Sequence, residues 1–263
     1  MVDILLTNDD GYKSIGFLPL LKKLSEEFSV TVVAPSEGKS WMGKSITTKK
    51  HIELKKADIG GFEIYCIDGT PADCVQIGMY DVINGRPKLV VSGINIGANP
   101  GHGRILSSGT VGAAMEASID GVKAISSSLY IPENARGKID FYDAKNYHIF
   151  ENAAEITLKV VKIVVEKKLQ PDIDLISLNI PFDAKADSDF EVTKPFRAPY
   201  GRLFHRKDGK LLHADPPMEF KDLEKGTDLK ALSEGKIAIT PVSLELFSKD
   251  SAKSFESIIR KEW

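Results

Sequence analysis

Residues 3–35 read DILLTNDDGYKSIGFLPLLKKLSEEFSVTVVAP, and the hydrophobic period changes twice within them. DILLT (3–7) is a short apolar run of strand length. Phe17, Leu20, Leu21, Leu24 and Phe28 then recur at helical spacing, and SVTVVAP (29–35) is a second apolar run closed by Pro35. Apolar residues three and four apart bury one face of a helix, whereas an unbroken β-branched run suits a strand covered on both faces. The stretch is therefore a strand-helix-strand crossover.

The same alternation continues outward. KLVVSGIN (88–95) predicts a strand that runs into a Gly-rich loop, and VGAAMEASIDG (111–121) a helix whose Gly112, Ala113, Ala114 and Ala117 allow close packing on a sheet. KAISSSL (123–129) and DLISLNIP (174–181) read as later parallel strands. Ile149, Ala153, Ile156, Val160 and Val164 mark the inner stripe of a long helix between them. Repeated strand-helix alternation predicts an α/β fold, an open and mostly parallel sheet with helices on both faces. Two stretches fall outside that pattern and are expected to protrude as hairpins: residues 45–68 around Gly60 and Gly61, and residues 201–215 around Asp208 and Gly209. Residues 1–185 are expected to form the catalytic core. Residues 186–263 are expected to be an elaboration for oligomerisation, not an independent domain, returning one strand near 236–247.

Composition narrows the function. With 263 residues, 42% of them hydrophobic, a sizeable core is expected. The 35 Lys and Arg against 37 Asp and Glu leave a net charge of −2, without the basic excess that a duplex-binding protein needs, so polymeric nucleic acid is excluded as a partner. The apolar run at the N-terminus is four residues long and meets two acids, and no stretch reaches membrane-spanning length; a cytoplasmic chain without a membrane partner is expected. Cys66 and Cys74 sit among apolar neighbours and read as buried free thiols.

In such a sheet, ligands bind at the carboxyl ends of the strands. The loops there carry Asn8, Asp9, Asp10 and Gly11, then Ser36 to Ser40, then Asn95, Gly97 and Asn99, and finally a helix start at Ser107, Ser108, Gly109 and Thr110. Adjacent carboxylates repel unless a cation or proton lies between them, and oxygen donors favour a hard ion such as Mg²⁺ or Mn²⁺. The Ser40 hydroxyl and Asn95 amide oxygen would complete that sphere, and a Ser-Gly-Thr helix start offers free N–H groups to a phosphate. Taken singly, Asp-Asp-Gly is a turn and Ser-Gly-Thr a cap; their joint placement points to phosphoryl chemistry. Dinucleotide and P-loop glycine signatures, zinc-spaced histidines and the G-x-S-x-G elbow are absent. His102 is either a solvated loop residue or a substrate contact, and Trp41 either stacks on a base or packs a lid.

TNDDG (7–11), APSEGKS (34–40), SIT (45–47), DGTPADCV (68–75), SGINIGAN (92–99), SGTVGAAME (108–116) and GTDLKALSEGKIAITPVSLEL (226–246) occur in one order across most of the chain. Together they resemble the SurE, or survival protein E, family of metal-dependent phosphatases acting on nucleoside monophosphates. The resemblance implies a Rossmann-like core, a C-terminal region exchanged between subunits, and homodimers or homotetramers. It implies one divalent ion, Mg or Mn, per subunit on Asp9, Asp10, Ser40 and Asn95, with Asn8, Asn99, Ser108, Gly109 and Thr110 around the phosphate. Asp9 and Asp10 are the catalytic candidates for a 5'-nucleotidase releasing inorganic phosphate from nucleoside monophosphates or other small phosphomonoesters. Two rivals remain: a phosphoryl-accepting signalling domain with Asp68 as acceptor, and a non-catalytic nucleotide-binding module.

Overall fold

The computed structural model describes residues 3–197 and 199–262. Its first unit is the predicted crossover: β1 (Ile4–Thr7), α1 (Phe17–Ser25) and β2 (Val30–Pro35), with β1 and β2 parallel. The next strands are β3 (Leu54–Ile59) and β4 (Phe62–Ile67), followed by α2 (Pro71–Ile77), which a π-helical turn over Gly78–Ile83 prolongs. β5 (Leu89–Ile96) leads into α3 (Gly101–Ser107), α4 (Gly109–Ile119) and β6 (Ala124–Leu129). A short α5 (Glu133–Arg136) precedes α6 (Glu151–Glu166) and β7 (Leu175–Ile180). The remainder comprises β8 (Phe190–Val192), β9 (Phe204–Lys207), β10 (Lys210–His213), α7 (Asp228–Ser233), β11 (Ile237–Val242) and α8 (Lys249–Glu262).

Nine strands form one twisted sheet in the order β3-β4-β2-β1-β5-β6-β7-β11-β8, parallel from β4 to β7. Two apolar layers cover it. Phe17, Leu20, Leu21 and Leu24 of α1 pack with Ala153, Ile156 and Val161 of α6 on one face, and Cys74 and Val75 of α2 pack with Val111, Ala113 and Ala114 of α4 on the other. This is the expected three-layer α/β architecture. β1, β6 and β7 are buried along their whole length and β5 as far as Ile94, which is why they read as continuous apolar or small-residue runs. Both cysteines are buried and unpaired, as expected. Among the described residues no helix is long and apolar enough to cross a membrane.

Three expectations are corrected. The hairpin at 45–68 does not protrude: β4 pairs parallel with β2, so the hairpin widens the main sheet. Its Ile64 and Ile67 are buried against α1 and α2 partners, and that apolar surface needs the sheet. The segment after residue 186 returns two strands, not one, because β8 adds parallel to β11 at the sheet edge. The Gly-rich segment after Asn99 contains α3 in place of a plain loop. The hairpin at 201–215 stands apart as expected, with β9 and β10 forming their own fully exposed two-stranded sheet.

Candidate active site

The carboxyl ends of β1, β2 and β5 meet the start of α4 around a cavity of about 100 Å³. β1 delivers the acid pair and β2 the Ser40 loop. The Lys39 N–H donates to the Asp9 carbonyl at 2.6 Å and the Tyr12 N–H to the Pro35 carbonyl at 3.1 Å, lacing the two loops together. A register shift in β5 between Ser92 and Asn95, the local kink of a bulge, sets off Asn95 from the buried run before it.

Asp9 is only 4% exposed. Its Oδ1 accepts the Thr110 hydroxyl at 2.5 Å, and the Thr110 backbone N–H also supports the carboxylate. Burial nevertheless pushes its pKa up to about 6. Asp10 Oδ2 accepts the Ile96 N–H at 2.8 Å; burial, and then the charge of Asp9, hold its carboxyl well above the usual range. Two adjacent acids so raised lack positive charge, and Arg136, whose guanidinium partly offsets Asp10, does not supply enough. Ser40 and Asn95 border the same cavity, and the Asn95 amide donates to the Gly97 carbonyl at 2.5 Å, which leaves its oxygen for another partner. A buried and a half-buried carboxylate with two neutral oxygens suit a hard divalent cation.

The phosphate-side candidates divide. Ser108 caps α4, its Oγ accepting the Val111 N–H at 3.2 Å, and an accepting hydroxyl keeps its own proton to donate into the cavity it lines. Asn99 lines it too, fixed by the Asn179 side chain to its N–H and by Ser128 to its amide. Asn8, Gly109 and Thr110 stand behind the cavity. Asn8 is fully buried and its amide ties the loop to the Gly11 carbonyl and the Ser14 hydroxyl, while the Thr110 hydroxyl serves Asp9. A Cβ on Gly109 would lie 2.9 Å from Asp9 Cβ and 3.2 Å from the Lys39 carbonyl, so this glycine lets helix and acid approach. One turn on, a Cβ on Gly112 would meet the Gly43 carbonyl at 2.2 Å, and the Lys44 ammonium pairs with the buried Glu116 at 2.6 Å. The Ser40 loop is thereby pinned against α4.

The sequence reading missed Arg104, Arg136 and Asp215, all of which line the cavity. Two guanidiniums thus share the cavity with the acid pair, Arg136 near enough to Asp10 to offset part of its charge. The only signal for Arg104 was its place in the Gly-rich segment; Arg136, on α5, carries none, and Asp215 ends the hairpin at 201–215, which was read as a protrusion and not as part of the site. Trp41 lines the cavity at φ 61°, its ring 5.3 Å from Tyr200 and 4.9 Å from His213. His102 is exposed in the first turn of α3, its ring turned to the Phe196 carbonyl, and does not line the cavity. Asp68 lies outside the cavity on the surface between Lys50 and Lys39, which leaves the signalling reading without its acceptor.

Comparison with known proteins follows the same lines. The family described as Survival protein SurE matches residues 4–202. The chain is 34% identical to the 5'-nucleotidase SurE of Methanococcoides burtonii, covering 97% of this chain and 98% of that one, and 36% identical to its counterpart from Archaeoglobus fulgidus, covering 92% of each. The crystal structure of the SurE protein from Aquifex aeolicus is similar with a TM-score of 0.79 and 33% identity, over 97% of this chain and 99% of that one.

Proposed function

The chain belongs to the SurE family, and from that premise we propose that it is a 5'-nucleotidase, hydrolysing nucleoside monophosphates to nucleoside and inorganic phosphate. The observation that carries the reading is that one cavity gathers the acid pair Asp9 and Asp10 together with Ser108, Arg104 and Arg136. Asp9, Asp10, Ser40 and Asn95 would hold one Mg²⁺ or Mn²⁺. When bound, that ion supplies positive charge to the acid pair and to the phosphoryl oxygens.

The chain's own groups do the rest. Ser108 donates to a phosphoryl oxygen, and Arg104 and Arg136 hold the phosphoryl charge. Thr110 fixes Asp9 in one orientation through Oδ1, and Asp9 takes the proton of the attacking water. Asn99, immobilised from behind, bounds the phosphate on the β5 side.

Residues after about 186 are proposed to join subunits into a homodimer or homotetramer. The β9–β10 ribbon exposes Phe204, Leu211 and Leu212, α8 exposes Phe255, Ile258 and Ile259, and an isolated two-stranded ribbon is marginal in water. The unpaired buried thiols agree with a cytoplasmic location. Phosphate release from AMP with and without Mn²⁺ tests the activity. Release that depends on the ion is expected; binding of AMP without release would mark a non-catalytic module instead.

A further inference from the structure

A cavity of about 100 Å³ has room for a phosphoryl group and an ion, not for a sugar and a base. A second cavity of about 520 Å³, in the ordinary size range of small-molecule pockets, opens beside it. Arg104 and Asp215 border both. Trp41 faces the small cavity and Tyr200 the large one, and their rings touch across the partition. The far wall is the segment that follows residue 196. It is tied to α3 by the Tyr200 hydroxyl on the Gly103 carbonyl and by Arg104 donating to the Pro216 carbonyl at 3.1 Å.

Resting on the nucleotidase reading, we infer that the large cavity receives the nucleoside half of the substrate, and that Tyr200 is its specificity-determining residue. With the phosphate between the acid pair and Ser108, the ester oxygen leaves toward Arg104 and Asp215, the side on which the cavities join. Phe196, Tyr200 and Met218 give the large cavity flat, polarisable surface for a base, while Asp215 and Glu219 give it acceptors for sugar hydroxyls. Arg104, reaching both spaces and held by the arm, would couple leaving-group binding to phosphate position.

The test compares AMP with glycerol 2-phosphate, whose leaving group is too small to fill the cavity. In Tyr200→Ala the ratio of kcat/KM for AMP to that for glycerol 2-phosphate is expected to fall at least tenfold, through KM, and Tyr200→Phe to restore it. Met218→Trp, filling the cavity from another wall, should raise KM for AMP more than for glycerol 2-phosphate and stands in if Tyr200→Ala fails to fold. In metal-free protein, adenosine should quench the fluorescence of Trp41, one of only two tryptophans in the chain, and the quench should vanish in Trp41→Phe. A ratio within twofold of wild type in a folded Tyr200→Ala or Met218→Trp, or no quenching by adenosine, overturns the assignment. Failure to hydrolyse either ester with Mn²⁺ present would instead sink the nucleotidase reading, and the adenosine titration would still decide whether the cavity takes a nucleoside.

Discussion

The acid-bearing end of the sheet and the β9–β10 arm are built in opposite ways. Around Asp9 and Asp10 the donors are tied down by neighbours: the Thr110 hydroxyl, the Ile96 N–H, the Lys39 N–H and the Asn8 amide NH2 all have assigned partners. In the arm every strand residue is exposed, and its ties to the body run through Tyr200, Trp41 and the Pro216 carbonyl. Rigid placement suits charge that must be held against repulsion. A loosely tied arm suits a surface completed by a substrate or a second copy. Changes at the sheet end should therefore alter chemistry, and changes in the arm should alter what the protein accepts and how it assembles.

The largest expected effect is Asp9→Asn or Asp10→Asn. Each removes one charge at nearly constant shape, and turnover should fall on the order of a thousandfold. The melting temperature of the metal-free protein should hold or rise, since repulsion between the carboxylates is relieved. Steady-state rates and thermal melts check both, and full turnover in Asp10→Asn at limiting Mn²⁺ would remove the contrast between the regions.

Gly112→Ala comes next. The new methyl would strike the Gly43 carbonyl, backbone that yields only if the Ser40 loop moves, and overpacking of this kind costs about 1–3 kcal/mol. Loss of stability together with a raised Mn²⁺ requirement is expected from denaturant melts and metal titration. Loss of stability alone would show that the loop is not placed by that contact.

The third is a pH effect. Asp9, near 6, and Asp10 are raised above the 3.8 of a free carboxyl by burial, so the unfolded chain releases these protons first. Stability of the metal-free protein should then fall as pH climbs from about 4 through 6, because each proton released favours the unfolded state. The rise in melting temperature produced by Mn²⁺ should accordingly be greater at pH 8 than at pH 5. Asp10→Asn should flatten the dependence, and an equal shift at both pH values would contradict it.

Ser108→Ala should cost about 0.5–2 kcal/mol as a lost cap and lower turnover without changing Mn²⁺ affinity. Asn95→Ala should instead raise the Mn²⁺ needed for half-maximal activity. Smallest of all for folding, Leu211→Ser should shift stability by no more than about 0.5 kcal/mol while weakening subunit association in light scattering. A cooperative loss of stability there would mean the arm is part of the core after all.

What could be read from the sequence follows from how local each signal is. β1, β2, β5, β6 and β7 announced themselves because burial on both faces leaves no polar alternation. Asp9, Asp10, Ser40 and Asn95, which line one cavity, were picked out because they lie at or just beyond the carboxyl ends of strands, where topology converges. The pairing of β4 with β2 was hidden, since partner choice is non-local and a hairpin reads alike whether free or docked. Arg104 was obscured by glycines around a seven-residue helix, Arg136 reaches the cavity from a four-residue helix without periodicity, and Asp215 reaches it from the end of a hairpin read as protruding. Asn8 and Thr110 were placed around the phosphate by the family resemblance; the hydrogen bonds show Thr110 on Asp9 and Asn8 holding the loop at Gly11 and Ser14.

The contact between Gly43 and Gly112 has a consequence for anyone redesigning this enzyme. The Gly43 side offers no slack either, for its own Cβ would lie 2.9 Å from the Leu106 carbonyl. The Ser40 loop and the helix behind it thus behave as a fixed chassis that cannot be diversified one position at a time. Trp41 and Met42 beside it, and the arm beyond, are the places where a library could vary sequence and return new substrate ranges without dismantling the acid pair.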